Sequence, residues 1–307
     1  MFIFIVGFFL FLIGLELAKK GLQKLAGTGI KNSLTKIQDH KYLSLSTGIF
    51  FTSVLQSSSA VSIILIGLIE AELMDFKNAF IIMLGANIGT TVTVQLISFP
   101  VLSSYPYLII TGILFLIFGF FNKLFLKLGK IVIAFGLVFF GLDLMTSIFV
   151  NPEIRMIFYS WFSRYGHNNY YGIIFGLIST ALVQSSSAVT GILVTLGRNN
   201  IIGLSEAVAI AAGSNIGTCF TAFLASFNSG KTSRKLAIGH LFFNLTGVLI
   251  LLAIYDIFIK IVSLTNTNLS HQIANAHTIF NILTVIIFLP FLDKVISFYE
   301  RSWIKWK

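Results

Sequence analysis

The segment Gln-Ser-Ser-Ser-Ala-Val stands at residues 56–61 and again at residues 184–189. Aligned at a constant offset of 128 residues and without a gap, Gln56–Ser98 and Gln184–Ser226 share 19 identities over 43 positions. Self-similarity of this kind is the signature of repeated architecture. The chain is therefore predicted to consist of two related halves.

A second motif ends each copy, reading GANIGT at residues 85–90 and GSNIGT at residues 213–218. Upstream of QSSS, Gly-Leu-Glu-Leu at 14–17 resembles Gly-Leu-Asp-Leu at 141–144. The expected organisation is a first transmembrane repeat over residues 1–128, a second, inverted repeat over residues 129–291, and a basic cytoplasmic tail over residues 292–307.

The composition places these halves in a membrane. Of the 307 residues, 56% are hydrophobic and 10% are charged, against about 25% charged residues in soluble domains. Nearly uncharged runs such as residues 131–150, in which Asp143 is the one charged residue, are long enough for a hydrocarbon layer of about 30 Å. The sequence predicts an all-α polytopic membrane protein with seven full spans, at about 1–18, 77–99, 106–121, 131–149, 203–227, 235–259 and 272–291.

The two QSSS motifs lie at the centres of two further apolar segments, Tyr42–Glu70 and Tyr170–Gly197. A single helix of that length would extend roughly 43 Å, which is long for one crossing and too short for two. We expect each segment to form a re-entrant helical hairpin with QSSS at its tip. A long tilted helix with a polar middle is the alternative.

The basic residues favour the hairpins. With hairpins, 17 of the 21 Lys and Arg residues fall on one side of the membrane, which the positive-inside rule makes the cytoplasm. The N-terminus then lies outside, the C-terminus lies in the cytoplasm, and the second half is inverted relative to the first. The formal net charge of +10 is thereby explained by topology in the cell membrane, and no nucleic-acid partner is expected.

A hairpin tip can bind an anion without any charged side chain. The first amides of the second arm lack intrahelical partners, and a helix N-terminus favours an anion. Serine hydroxyls and glutamine amides add neutral donors, and no Lys or Arg lies near either motif in the sequence. The candidate anion-binding residues are Gln56, Ser57, Ser58 and Ser59, with Gln184, Ser185, Ser186 and Ser187.

The NIGT segments supply hydroxyl and amide oxygens, which are the hard ligands that suit an alkali cation. Asparagine, glycine and threonine also pack helices against one another, so a structural role is the alternative. The candidate sodium-binding residues are Asn87, Thr90, Thr91, Asn215 and Thr218.

Together these motifs, with Ala237–Gly247 (AIGHLFFNLTG), resemble the type II sodium/phosphate cotransporter family. The resemblance covers most of residues 40–290. It implies an inverted-repeat symporter that binds inorganic phosphate and sodium at the QSSS tips, with elevator-like alternating access. Sodium is the coupling ion and no other cofactor is expected; a homo-oligomer is left open. Animal relatives carry a His-Asp-Phe-Phe-Asn segment after the first repeat, whereas residues 105–121 contain no equivalent and Leu241 replaces the Asp in the second half.

Other functions compete with this one. A serine hydrolase is disfavoured, because neither QSSS is a Gly-x-Ser-x-Gly elbow, and the protein is not expected to be an enzyme. A channel or scaffold, a carrier of another small oxyanion, and a phosphate carrier with different ion coupling remain alternatives. The pairs His240/Asn244 and His277/Asn281 are expected to form interhelical hydrogen bonds.

Overall fold

A computed structural model describes residues 2–26, 40–99, 104–165, 168–227, 229–294 and 296–297. Within these ranges the chain is helical, as predicted, and contains thirteen α-helices, two short 3₁₀ helices and no β-strand. The helices are α1 (Phe2–Ala26), α2 (Lys41–Leu55), α3 (Ser58–Glu70), α4 (Phe76–Ser98), α5 (Tyr105–Phe118), α6 (Lys123–Ser147), α7 (Pro152–Tyr165), α8 (Asn169–Val183), α9 (Ser186–Arg198), α10 (Leu204–Ser226), α11 (Lys231–Ala253), α12 (Tyr255–Ser263) and α13 (Leu269–Phe288).

Six of these helices (α1, α4, α6, α10, α11 and α13) are long and apolar enough to cross a membrane. The remaining one of the seven predicted spans, at residues 106–121, is instead the 14-residue helix α5, which extends about 21 Å. The apolar sequence continues beyond it, but the Asn122 side chain accepts a hydrogen bond from the amide of Leu124 (2.8 Å) and caps α6. The cap begins α6 at Lys123, eight residues before the start of the next predicted span at 131.

The C-terminal part of the chain also differs from the prediction. The expected span at 235–259 is divided, since α11 ends at Ala253 and the short helix α12 begins at Tyr255. The amide of Ile254 bonds to the carbonyl groups of both Ile250 and Leu251, which closes the last turn of α11. Most of the predicted tail at 292–307 lies outside the described residues.

The two QSSS segments break helices at matched positions. In the first half α2 ends at Leu55 and α3 begins at Ser58; in the second half α8 ends at Val183 and α9 begins at Ser186. All bounds of α8, α9 and α10 lie 128 residues after those of α2, α3 and α4. The arms of 15 and 13 residues extend about 22 and 20 Å, less than the ~30 Å of a hydrocarbon core.

Glycines hold the first arm of each broken helix against the NIGT helix of the same half. A β-carbon built on Gly48 or Gly85 would collide with a backbone carbonyl oxygen of the facing helix, and the same is true of Gly176 and Gly213. The backbones of α2 and α4, and of α8 and α10, therefore touch directly. Such contact is possible only where neither helix carries a side chain at the crossing.

The ends of the second arms carry opposite charges at matched positions. Glu70, at the end of α3, accepts a hydrogen bond from the amide of Gly230 (2.9 Å) at the start of α11. Arg198, at the end of α9, donates to the carbonyl oxygens of Ser98 (2.9 Å) and Phe99 (3.0 Å) at the end of α4. Each charge suits the helix end that it contacts, because the N-terminus of a helix is partially positive and the C-terminus partially negative.

The NIGT helices form the centre of the fold. In their most apolar stretch, 78% of the residues of α4 and of α10 are buried, compared with 28% for α1. The second arm of each half packs across the boundary, α3 on α10 and α9 on α4. Helices α1, α5 and α6 pack mainly on one another at the periphery. The fold thus brings both QSSS breaks against the two central helices.

A glycine substitution tests the backbone contact. Changing Gly176 to Ala should destabilise the protein by about 1–3 kcal/mol, because the added methyl group forces α8 and α10 apart. Gly67 is the matched control: it lies within α3, and a β-carbon there meets nothing within 4 Å. Gly67→Ala should be neutral or stabilising by up to ~1 kcal/mol, since alanine is the better helix former.

Thermal unfolding of the purified variants in detergent measures both effects. Equal transition temperatures for Gly176→Ala and Gly67→Ala would contradict the proposed packing role of Gly176.

Candidate functional site

Both QSSS segments form turns of the same shape. Gln56 has φ 53° and ψ 30°, and Gln184 has φ 56° and ψ 28°. These angles lie in the left-handed region, which costs an L-residue roughly 1–2 kcal/mol. The amide of each glutamine still closes the preceding helix, on the carbonyl oxygens of Thr52 (2.8 Å) and Thr180 (2.7 Å). Backbone strain held in this way is frequent at functional sites.

The first serine of each motif caps the second arm. The Ser57 hydroxyl oxygen accepts a hydrogen bond from the amide of Ala60 (3.2 Å), and the Ser185 hydroxyl oxygen accepts one from Ala188 (3.3 Å). Both serines have extended backbone angles, as N-cap residues do. The capping bond uses an oxygen lone pair, so each hydroxyl hydrogen remains available as a donor.

The next two amides of each second arm are unpartnered. None of the described residues accepts a hydrogen bond from the backbone N–H groups of Ser58 and Ser59, or from those of Ser186 and Ser187. They are the first two amides of α3 and α9, where the partial positive charge of a helix is concentrated. Each tip thus offers two free N–H donors beside a serine hydroxyl.

The two tips differ in their surroundings. Gln56 is buried, with 6% of its surface exposed; its side-chain amide donates to the Ser53 carbonyl oxygen and its side-chain carbonyl accepts from the Thr93 hydroxyl. Gln184 is exposed, and no described residue hydrogen-bonds to its side chain. The structure therefore encloses the side chain of Gln56 and leaves that of Gln184 open, whereas Ser186 and Ser187 of the second turn are both buried.

Two threonines absent from the predicted site lie at the tips. Besides the contact of Thr93 with Gln56, the Thr221 hydroxyl lies 3.0 Å from the Ser59 hydroxyl of the other half. Thr93 and Thr221 are 128 residues apart and are identical in the alignment of the two halves. This match between the halves is the sequence signal that points to both threonines.

The threonines predicted to bind sodium line α4 and α10. The hydroxyl groups of Thr90 and Thr91 donate to the carbonyl oxygens of Ala86 (2.9 Å) and Ile88 (2.8 Å) in their own helix. Thr218 donates in the same way to a carbonyl of α10, that of Ser214 (3.0 Å). Back-bonding of this kind fixes the hydroxyl hydrogen and leaves the oxygen lone pairs free to accept a donor or a cation.

The predicted asparagines take part in two buried triads of the same design. Asn87 Oδ1 lies 3.0 Å from His240 Nε2, and Asn87 Nδ2 donates to Asn244 Oδ1 (2.9 Å). In the second triad Asn215 Oδ1 lies 3.2 Å from His277 Nε2, and Asn215 Nδ2 donates to Asn281 Oδ1 (3.2 Å). The triads join α4 to α11 and α10 to α13. The predicted interhelical bonding of the His–Asn pairs is confirmed.

Other polar residues of the sequence analysis lie elsewhere. Glu16 is 55% exposed and forms an ion pair with Lys20 one turn later (3.5 Å). Asp143 is exposed on α6. Neither carboxylate therefore contributes to the tips, and the site consists of hydroxyl, carboxamide and backbone groups.

Comparison with known proteins assigns the chain to a family. A family model described as "Na+/Pi-cotransporter" matches residues 10–147 and 155–288. The "Uncharacterized protein YqeW" of Bacillus subtilis (strain 168) is 32% identical over 247 residues, which are 79% of this chain and 78% of the relative. The "Putative inorganic phosphate export protein YjbB" of Escherichia coli (strain K12) is 28% identical over 243 residues, which are 78% of this chain and 44% of the relative.

A more distant similarity reaches animal proteins. The "Sodium-dependent phosphate transport protein 2B" of Homo sapiens is 33% identical over 138 residues, covering 41% of this chain and 20% of the relative. No solved structure matches the chain. The family match covers both copies of QSSS and both copies of NIGT, so the protein belongs to the Na+/Pi-cotransporter family, a family of transporters rather than enzymes.

Proposed function

We propose that the protein is a sodium-coupled symporter of inorganic phosphate that works by elevator-like alternating access. Membership of the Na+/Pi-cotransporter family makes phosphate the expected substrate. The names of the relatives describe phosphate export in one case and sodium-dependent phosphate transport in another. Coupling to sodium and the direction of transport are therefore part of the proposal.

The unpartnered amides at the two tips carry the proposal. Two backbone N–H groups, a capping serine hydroxyl and a glutamine stand at each break, and each group can donate to a phosphate oxygen. The chain contains no Lys or Arg between Lys41 and Lys77, or between Arg164 and Arg198. Phosphate would be held by Gln56–Ser59 and Gln184–Ser187 without a fixed positive charge.

Sodium ions would supply the missing charge. The candidate ligands are the oxygen atoms of Asn87, Thr90 and Thr91 in the first half, and those of Asn215 and Thr218 in the second. Asn87, Thr90 and Thr91 are spaced i, i+3 and i+4, so they share one face of α4. The back-bonded hydroxyls present lone pairs, which is what a hard cation requires.

The architecture proposed is a pair of inverted repeats with re-entrant hairpins. Each arm of a broken helix is shorter than the hydrocarbon core, which favours a turn within the membrane over a crossing. Helices α4 and α6 would cross between the two hairpins, and so would α5 together with the apolar turns that continue it to Phe121. Three crossings are an odd number, which inverts the second half. Helices α1, α5 and α6, which pack mainly on one another, would form the static part against which the tips move.

Transport by the purified protein in proteoliposomes tests this function. Radiolabelled phosphate should accumulate when an inward sodium gradient is imposed, and accumulation should cease when choline replaces sodium. Unlabelled arsenate and sulfate should be added as competitors. The tetrahedral shape and protonation of arsenate match those of phosphate, so arsenate should compete and sulfate should compete weakly.

Two outcomes would contradict the proposal in different ways. Phosphate uptake that is unchanged in choline, with no proton gradient, would exclude sodium coupling. Sulfate that competes as well as phosphate would assign the site to another oxyanion.

A glycine at the second tip separates backbone shape from side-chain function. Gln184→Gly should stabilise the protein by about 1 kcal/mol, because glycine adopts the left-handed region without strain. Phosphate uptake should nevertheless fall, since the exposed amide of Gln184 is lost. Gln184→Ala should lose uptake without gaining stability. Thermal unfolding and initial uptake rates measure the two effects.

Glu72 provides the matched control for that substitution. It also has a positive φ (58°), but it follows α3 at the end remote from the tip. Glu72→Gly should gain similar stability and keep wild-type uptake. Wild-type uptake by both Gln184 variants would exclude a role of this side chain in transport.

A further inference from the structure

The hydrogen atoms of the first triad can be assigned from a single fixed acceptor. The backbone carbonyl of His240 can only accept, and Asn244 lies 3.1 Å from it through Nδ2. This contact orients the Asn244 amide, so its Oδ1 faces Asn87 and must accept from Asn87 Nδ2. Asn87 Oδ1 is thereby turned to His240 Nε2, which must carry the hydrogen. These three hydrogen bonds form a cycle that closes through His240 itself, with one consistent set of donors.

The second triad repeats this cycle. Asn281 Nδ2 donates to the backbone carbonyl of His277 (2.8 Å), and Asn281 Oδ1 accepts from Asn215 Nδ2. Asn215 Oδ1 then accepts from His277 Nε2. Each histidine therefore has its hydrogen on Nε2, and among the described residues neither Nδ1 has a hydrogen-bond partner. His240 and His277 are 1% and 2% exposed.

The cycle leaves one acceptor position open on each central asparagine. A carboxamide oxygen has two lone pairs, and the histidine occupies only one of them on Asn87 and on Asn215. Both atoms belong to helices that also present back-bonded threonine oxygens, one turn further along at Thr90 and Thr218. The histidine fixes where the second lone pair points, as groups behind a metal ligand commonly do.

We propose that His240 and His277 are positioning residues for the sodium sites. Each acts through an asparagine, Asn87 or Asn215, whose side-chain oxygen it holds toward the ion. The inference rests on the proposed sodium-coupled transport. A positioning role differs from a general packing role in what it predicts: loss of the histidine should change the apparent affinity for sodium and leave the apparent affinity for phosphate unchanged.

Substitutions of His240 test the proposal. His240→Leu removes the donor to Asn87 and should raise the sodium concentration for half-maximal uptake by about tenfold. Tenfold is the lower end of the loss in metal affinity that removal of a hydrogen-bond partner behind a ligand usually causes. The phosphate concentration for half-maximal uptake, measured at saturating sodium, should stay at the wild-type value. His240→Gln places an N–H donor near the position of Nε2 and should restore most of the sodium affinity.

Asn275→Leu is the matched control. Asn275 lies on α13 and accepts an interhelical hydrogen bond from Gln95 of α4 (3.1 Å), and its side-chain amide donates to Thr265 (3.0 Å); neither bond involves a residue of the two triads. Its loss should leave the sodium dependence unchanged. If His240→Leu fails to fold, His277→Leu and His277→Gln make the same test in the second half.

A binding measurement keeps this inference distinct from the proposed function. Sodium should raise the unfolding temperature of the purified protein in detergent, because it binds only the folded state, and His240→Leu should need more sodium for the same rise. A wild type that responds to sodium in neither assay sinks both proposals. If the wild type responds to sodium, two results would overturn the positioning role alone. One is that His240→Leu responds at the same sodium concentrations as the wild type. The other is that His240→Gln is as impaired as His240→Leu.

Discussion

A helix that stops inside a protein leaves backbone N–H and C=O groups without partners, and the rest of this structure depends on how that constraint is met. The left-handed turn at Gln56 closes α2, and the Ser57 hydroxyl caps α3. The amides of Ser58 and Ser59 stay unpaired. Direct backbone contact of α2 with α4 then places Thr93 level with the tip. The candidate site consists of the polar groups that have no hydrogen-bond partner among the described residues at the break.

The absence of fixed positive charge from these motifs has a consequence for coupling. A lysine or arginine at a tip would attract an anion by itself and would hold it whether or not a cation was bound. Neutral amides and hydroxyls attract phosphate more weakly, so the charge of bound sodium contributes a larger share of the attraction. Under the proposed function, weak intrinsic affinity is the property that makes cotransport obligatory.

Sequence and structure agree most closely where length and repetition constrain the chain. An apolar segment of the length of Tyr42–Glu70 predicts a break at QSSS, and the helices end there. The early end of α5 could not be predicted, because the apolar run continues through Phe121 and only the cap at Asn122 interrupts it. The difference in burial between the side chains of Gln56 and Gln184 also could not be predicted, since both glutamines precede identical residues. It arises from tertiary neighbours, chiefly Thr93.

The helix bounds are equally spaced in the two aligned halves of the chain. Fewer than half of the aligned residues are identical, yet the number of residues from each break to the end of α4 or α10 is the same. One inserted residue would rotate the following helix by about 100°. Asn87 would then face away from His240 while its neighbours stayed unchanged. The contact between Asn87 and His240 therefore depends on the length of this segment.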